Sequence, residues 1–394
     1  MKILMLGWEF PPFSSGGLGT HCYGLTRGLH ERGADIIFVM PATGIDLKHG
    51  FVKIIQAGKD KLIRIGSNLT PYMPSLAFGR GRGKGGLDVY GLGFFQDVQR
   101  YTELAAEAVK NEDFDIIHCH DWMTFPAGIK IKMESKKPMV VTVHSTEFDR
   151  TGSLSPNKWI CDMEWAGMYF ADGVITVSNY MKKQLMERYQ VPGEKIEVVY
   201  NAVEKDKYAG DRVSFGIDEK VVLFLGRVTL QKGPDYFLDA ARKVLKKERN
   251  VKFVVVGKGD MLPAMIEKSI EMGIAEHVFF AGYAEDIVRF YKMADLYVMP
   301  SVSEPFGITA LEALASGTPV IISKQSGVSE VVSHCMKVDF WDTDELANKI
   351  IGILRYLPLR KEMGKNGFNE AQKFDWLNVA DRVMNIYSSI LNSR

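Results

Sequence analysis

A chain of 394 residues, 46% hydrophobic and 25% charged, has the make-up of a soluble globular protein and is too long for one ordinary core, so two domains are expected. A net charge of +1 leaves no global electrostatic footprint for nucleic acid or an anionic membrane, and no nucleic-acid partner is expected. The four cysteines, Cys22, Cys119, Cys161 and Cys335, are scattered without a C-x-x-C pair, which suggests neither a zinc site nor a disulfide framework and fits a reducing compartment.

The opening Met1-Lys2-Ile3-Leu4-Met5-Leu6-Gly7 is apolar but short, and Glu9 follows at once, so it reads as a first strand rather than a secretion signal. No apolar run approaches the roughly eighteen residues of a membrane span, so no integral membrane contact is expected and the expected location is the cytoplasm. Further strands are expected over residues 35–40, 88–92, 116–119, 139–143, 173–177 and 196–199, with helices over 19–31, 97–111 and 179–189. The polar, glycine-containing stretch 203–216 interrupts this alternation and marks a domain boundary. Beyond it, strands are expected over 221–226, 252–257, 278–280, 296–299 and 320–323. Near-continuous runs such as VVLFLG and FVVVG suit strands covered on both faces, hence parallel α/β architecture in two tandem halves with a ligand cleft between them. From Phe374 a last amphipathic helix sets Trp376, Val379, Val383, Ile386 and Tyr387 on one side. The run from Gly79 to Gly86, rich in Gly and Arg, reads as a mobile loop more readily than as an RNA-contacting tract.

The chemistry is concentrated in loops at strand ends. In Ser303-Glu304-Pro305-Phe306-Gly307-Ile308-Thr309-Ala310-Leu311-Glu312, Pro305 and Gly307 force an irregular turn between a strand and a helix. Glu304 is therefore expected at the carboxyl edge of a sheet, with backbone N–H groups of the helix start open to an anion behind it. Glu312, a turn or more into that helix, is placed to accept hydrogen bonds from a pair of hydroxyls, as on a ribose. Arg227 and Lys232 flank another strand end, where two cations would neutralise a diphosphate without a metal. Gly16-Gly17-Leu18-Gly19 opens the first helix and suits phosphate capture. It is no dinucleotide fingerprint, because Cys22 stands where a third glycine belongs. His118-Cys119-His120-Asp121-Trp122 and His144-Ser145-Thr146-Glu147 close two more strands. A metal on His118, His120 and His144 is the rival reading there. His118 and His120 are expected on opposite faces of their strand, which disfavours zinc. A Ser–His–Asp triad lacks its G-x-S-x-G elbow.

Together these loops resemble those of retaining family-4 glycosyltransferases of GT-B fold. Within that group Gly7-Trp8-Glu9-Phe10-Pro11-Pro12 and the stretch from His118 to Trp122 resemble the glycogen and starch synthases. The other carriers are Val177-Ser178-Asn179, Asn201, Gly226-Arg227, Lys232-Gly233, Gly257-Lys258-Gly259, Gly282-Tyr283 and the glutamate pair, so the resemblance spans essentially the whole chain. It implies two Rossmann-like domains facing each other across a cleft: residues 1–203 on the acceptor side, residues 204–373 binding the nucleotide sugar, and a helix over 374–394 crossing back to the first. It implies that Gly16 and Gly17 lie near the donor pyrophosphate and that Arg227 and Lys232 grip it. Glu304, Phe306, Gly307, Ile308 and Thr309 would hold the donor hexose and its phosphate. Glu312 would bind the ribose, Tyr283 would lie near the base, and His144 and Asp121 would face the reacting sugar or acceptor. No cofactor and no metal are implied beyond the substrate, ADP- or UDP-glucose. One departure stands out: glycogen synthases carry Lys-x-Gly-Gly-Leu, where this chain has Ser14-Ser15-Gly16-Gly17-Leu18. The expected activity is glucosyl transfer to an α-glucan or oligosaccharide. The alternatives are another family-4 hexosyltransferase acting on a small sugar or lipid-linked glycan, a GT-B epimerase, and a sugar-nucleotide-binding module without turnover.

Overall fold

The apolar runs of the sequence form two parallel sheets, one in each of two compact units, Met1–Asn201 with Trp376–Arg394 and Ala202–Asp375. The computed structural model describes residues 1–13, 16–43, 47–58, 91–213 and 219–393. The run from Gly79 to Gly86, together with Ser14 and Ser15, lies outside them.

In the first unit the chain runs β1 (Lys2–Leu6), α1 (Gly17–Glu31), β2 (Asp35–Pro41), β3 (Lys53–Ala57), α2 (Gly91–Val109), β4 (Ile116–His120), α3 (Phe125–Ser135), β5 (Met139–Val143), α4 (Glu147–Arg150), α5 (Lys158–Phe170), β6 (Gly173–Thr176), α6 (Asn179–Tyr189) and β7 (Ile196–Val198). The sheet order is β3-β2-β1-β4-β5-β6-β7, parallel throughout. Sequence order therefore reverses between β1 and β4, and at such a switch point the loops leaving the carboxyl ends part to opposite faces and leave a crevice.

One expected strand is not found among the described residues. Of residues 88–92, Gly91 and Leu92 open α2, and the first three lie outside the described residues. The reason is periodicity: Val98, Tyr101, Thr102, Ala105, Ala106 and Val109 are buried at three- and four-residue spacing, the stripe of a helix laid on a sheet.

The second unit contains α7 (Lys205–Tyr208), β8 (Lys220–Leu225), α8 (Pro234–Leu245), β9 (Val251–Val256), α9 (Leu262–Glu271), β10 (Val278–Gly282), α10 (Ile287–Met293), β11 (Leu296–Met299), α11 (Ile308–Ala315), β12 (Val320–Ser323), β13 (Met336–Val338), α12 (Thr343–Arg355) and α13 (Leu357–Ala371). Its parallel sheet is ordered β10-β9-β8-β11-β12-β13, with the reversal between β8 and β11. One face is sealed by a core in which Val222, Phe224, Phe253, Val255 and Val298 of the strands meet Phe237, Val244, Ile350 and Leu354 of the helices.

The chain returns to the first unit as α14 (Trp376–Asn392), as the resemblance implies. Trp376, Val379, Ala380, Val383 and Tyr387 are its buried stripe, and it lies against α1. Gly24 lets that approach happen, because a Cβ there would stand 2.2 Å from the Trp376 ring.

Candidate active site

In the second unit the two loops at the switch point bring the expected residues together. After β8 the chain passes through Arg227 into a short 3-10 turn, Leu230–Lys232, and then Gly233. Gly233 has φ 64°, and a Cβ would fall 2.2 Å from the Pro300 carbonyl oxygen, so only glycine lets this turn lie against the end of β11. The Gln231 carbonyl accepts from the Val302 N–H at 2.9 Å, tying the two loops together. Lys232 Nζ thereby reaches Glu304 Oε2 at 2.5 Å, and Ser301 Oγ donates to the same oxygen at 3.2 Å. Arg227 is braced by Gln231 Oε1 at 3.1 Å.

The Glu304 loop is strapped down along its length. Its N–H donates to the Gln325 carbonyl at 2.9 Å, its carbonyl accepts from Gly327 at 2.9 Å, and the Phe306 carbonyl accepts from Val328 at 2.7 Å. Phe306 is buried, and Gly307 turns the chain into α11, which starts at Ile308 with no capping side chain. The Thr309 hydroxyl is held by the Tyr297 hydroxyl at 2.8 Å. Amides without a side-chain cap and two cations, one of them paired to a carboxylate, meet at this sheet edge, an arrangement whose chemistry suits an anion.

Glu312 lies one turn further on and is almost fully buried. Its two oxygens accept from Tyr208 and Tyr291 hydroxyls, each at 2.8 Å. Two tyrosines of the protein thus hold the carboxylate that the resemblance assigns to a ribose. Burial pushes the Glu312 carboxyl up, and the two phenol hydrogen bonds pull against that shift. Tyr283 stands exposed, with Lys258 Nζ 5.6 Å from its ring centre.

The first unit gathers histidines at its own switch point. Gly16 precedes α1 in an extended conformation, with open space where a Cβ would be and no acidic residue in the first helical turn. One turn on, the His21 Nδ1 and Asn201 Oδ1 lie 2.7 Å apart. The His21 ring lies 4.3 Å from that of His144 and 5.5 Å from that of His120, and His120 Nδ1 and His144 Nε2 are 3.0 Å apart. Sequence reasoning missed His21.

His118 and His120 do not point to opposite faces. Their rings are 4.3 Å apart, because strand side chains alternate with period two and residues two apart share a face. His118 is nonetheless no ligand, since Tyr387 Oη at 2.5 Å and Thr142 Oγ1 at 2.7 Å occupy its two nitrogens. Among the described residues, the histidine set with converging donor atoms is His21, His120 and His144. Burial holds His21 down to about 4, against a raising contribution from Asn201, and His118 down to about 3. His120 and His144 move the same way for the same cause, so all four rings are neutral at pH 7.

Asp121 is buried. It adopts φ 60°, a left-handed conformation that Asp tolerates better than most residues, and its Oδ1 accepts the His144 backbone N–H at 2.7 Å. Its work is to hold the loop that carries His144. The far side of that loop is anchored by Arg150, buried with Glu147 at 3.1 Å and Glu164 at 2.6 Å, which also donates to the Ser145 carbonyl at 3.1 Å. Tyr189 donates to Glu164, completing a network with no mark in the local sequence.

Two family models match the chain in tandem: Glycosyltransferase Family 4 over residues 15–207 and Glycosyl transferases group 1 over residues 211–370. An uncharacterized glycosyltransferase of Methanocaldococcus jannaschii is 32% identical, covering 98% of this chain and 98% of its own. A glycogen synthase of Mycobacterium tuberculosis is 27% identical over 84% of this chain and 80% of its own length. Among solved structures, a sucrose-phosphate synthase of Thermosynechococcus elongatus aligns over 100% of both chains with a TM-score of 0.81 and 20% identity, a likeness of fold.

Proposed function

The chain belongs to the family-4 glycosyltransferases of GT-B fold, and from that premise we propose that it moves glucose from ADP- or UDP-glucose to an α-glucan or oligosaccharide with retention at the anomeric carbon. The observation that carries this reading is the Lys232–Glu304 pair, 2.5 Å apart beside Arg227 at the switch point of the second sheet. Two cations and the amides opening α11 suit a nucleotide diphosphate, whose departure then needs no metal. Glu304 fixes the Lys232 ammonium and is itself in reach of a donor hexose. In the first unit His144, set by Asp121, is the polar group assigned to the transferred sugar.

In this mechanism the bond between the anomeric carbon and the β-phosphate oxygen breaks while the acceptor oxygen bonds to the same face of that carbon. The acceptor proton passes to the departing phosphate oxygen, so no protein nucleophile is required. Arg227 and Lys232 stabilise the charge that builds on the diphosphate, which accelerates the reaction because that charge grows toward the transition state.

A second reading, transfer to a small sugar, is favoured by Ser14 and Ser15, which stand where glycogen synthases carry Lys-x before Gly-Gly-Leu. Incubation with each nucleotide sugar, with and without glycogen, maltooligosaccharides or small sugars, tests both. The expected result is nucleotide release that depends on the acceptor, with an α-anomeric product by NMR. Release that no acceptor stimulates defeats the transfer assignment, and a β-anomeric product defeats retention.

A further inference from the structure

The proposed transfer uses His144 but leaves His21 and His120 without a task. One donor atom from each of the three rings lies within 4.8 Å of the others. Two of the ring nitrogens, His21 Nε2 and His120 Nε2, are buried with no hydrogen-bond partner among the described residues. A buried imidazole nitrogen without a partner costs free energy, so its presence asks for a ligand. The tautomer of His21 follows from its neighbour: with Asn201 Oδ1 as acceptor, the proton sits on Nδ1 and Nε2 presents its lone pair. Only one proton can lie in the 3.0 Å contact between His120 Nδ1 and His144 Nε2; His120 gives the ion one nitrogen, and where that is Nδ1 the cation replaces this proton and Nε2 carries the ring's own.

We propose that His21, His120 and His144 form a three-imidazole site for a divalent cation of the zinc class, and that filling it inhibits the protein by withdrawing His144. The site itself stands on geometry alone; the inhibition rests on the glucosyl-transfer reading above. Neutral imidazoles without a carboxylate select zinc and its soft neighbours over magnesium or calcium. With zinc–nitrogen bonds of about 2.0–2.1 Å, tetrahedral ligand atoms stand roughly 3.4 Å apart. The three donors, within 4.8 Å now, would therefore draw in by no more than about 1.4 Å. Three protein ligands leave the fourth position to water. Asn201 is the outer partner that orients His21, and His118 is excluded because Tyr387 and Thr142 already hold its nitrogens.

The test uses the full chain, stripped with a chelator and titrated with Zn²⁺ or Co²⁺ against a chromophoric competitor. The expected result is one tightly bound ion per chain and, for Co²⁺, the intense visible absorption of a four-coordinate site. His21→Ala and His120→Ala should abolish it, and Asn201→Ala should weaken it about 10-fold or more. Histidine modification mapped by mass spectrometry gives a readout that needs no variant: Zn²⁺ should protect His21, His120 and His144 together. Failure to bind, unchanged affinity in folded His21→Ala, or protection confined to other histidines overturns the site. Where binding holds but acceptor-dependent transfer is undiminished at saturating Zn²⁺, the inhibitory role is wrong. A protein that binds Zn²⁺ yet transfers nothing in its absence counts against the transferase reading and leaves the site standing.

Discussion

Lys232 and Glu304 are close enough, and dry enough, that each sets the other's role. Their side chains are 21% and 7% exposed, so the carboxylate depends on the ammonium for neutralisation. Removing one preorganised donor from a developing oxyanion costs about 2–4 kcal/mol, which is roughly 30- to 1,000-fold in rate. Lys232→Ala and Arg227→Ala should each lower kcat/KM by that factor, whereas Tyr283→Ala, on an exposed ring, should act mainly through KM. Steady-state kinetics on purified variants decides it; near-normal kcat/KM in both cation variants removes the phosphate clamp. Glu304, Arg227 and Lys232 were legible in the sequence because Gly and Pro break each strand where the loop begins. His21 was not, because a histidine inside an amphipathic helix carries no local sign and its partner Asn201 lies 180 positions away. Tyr208, 104 residues from Glu312, was hidden for the same reason.

At the scale of elements, the loop after β5 depends on a charge network beneath it. Arg150 is the hub, buried between Glu147 and Glu164 while bonding the Ser145 carbonyl next to His144. Breaking a buried pair from one side strands the partner charge, at a cost of about 3–5 kcal/mol. Arg150→Met should lower the stability of the first unit by that much in urea unfolding and cut transfer with it, through a displaced His144. A loss under 1 kcal/mol would mean that the network is solvated rather than structural. The packing of α1 on α14 makes a second case. Gly24→Ala drives a methyl into the Trp376 ring, and overpacking of this kind costs about 1–3 kcal/mol. Thermal unfolding should show it, and Trp376→Leu in the same chain should relieve it. Central strands were readable from their apolar runs alone, since burial on both faces leaves one pattern. Two of the four edge strands were not: β3 is half-buried, β13 has three residues, and neither stands out from a loop by composition.

Across the whole molecule, acid should act on the two units unequally. The first holds four histidines neutral by burial, with His21 at about 4 and His118 at about 3 against an ordinary value of 6.5. Below pH 6.5 the unfolded chain takes up protons that the folded unit refuses, so stability falls as pH falls until each folded value is reached. For His21 alone the loss at pH 5 is about 2 kcal/mol; burial raises Glu164 of the same unit to about 7, which adds about as much stability over the same range, so the net fall rests on the other three histidines. The buried Glu312 of the second unit is shifted upward, and a raised carboxyl pKa removes stability as pH rises, the opposite direction. Glu370, also there, is lowered and loses its contribution only as pH falls below its ordinary value of 4.5. Between pH 7 and 5 neither of these two carboxyls works against the second unit. Hydrogen exchange read by mass spectrometry and corrected for intrinsic rates should show Met1–Asn201 and Trp376–Arg394 opening together at pH 5, while Ala202–Asp375 keeps its protection. The C-terminal segment is the sharpest part of that test, because it adjoins the second unit in sequence and packs with the first. If it exchanges with Ala202–Asp375, or if protection of the first unit does not change from pH 7 to 5, the buried histidines are not neutral and the argument from their burial fails.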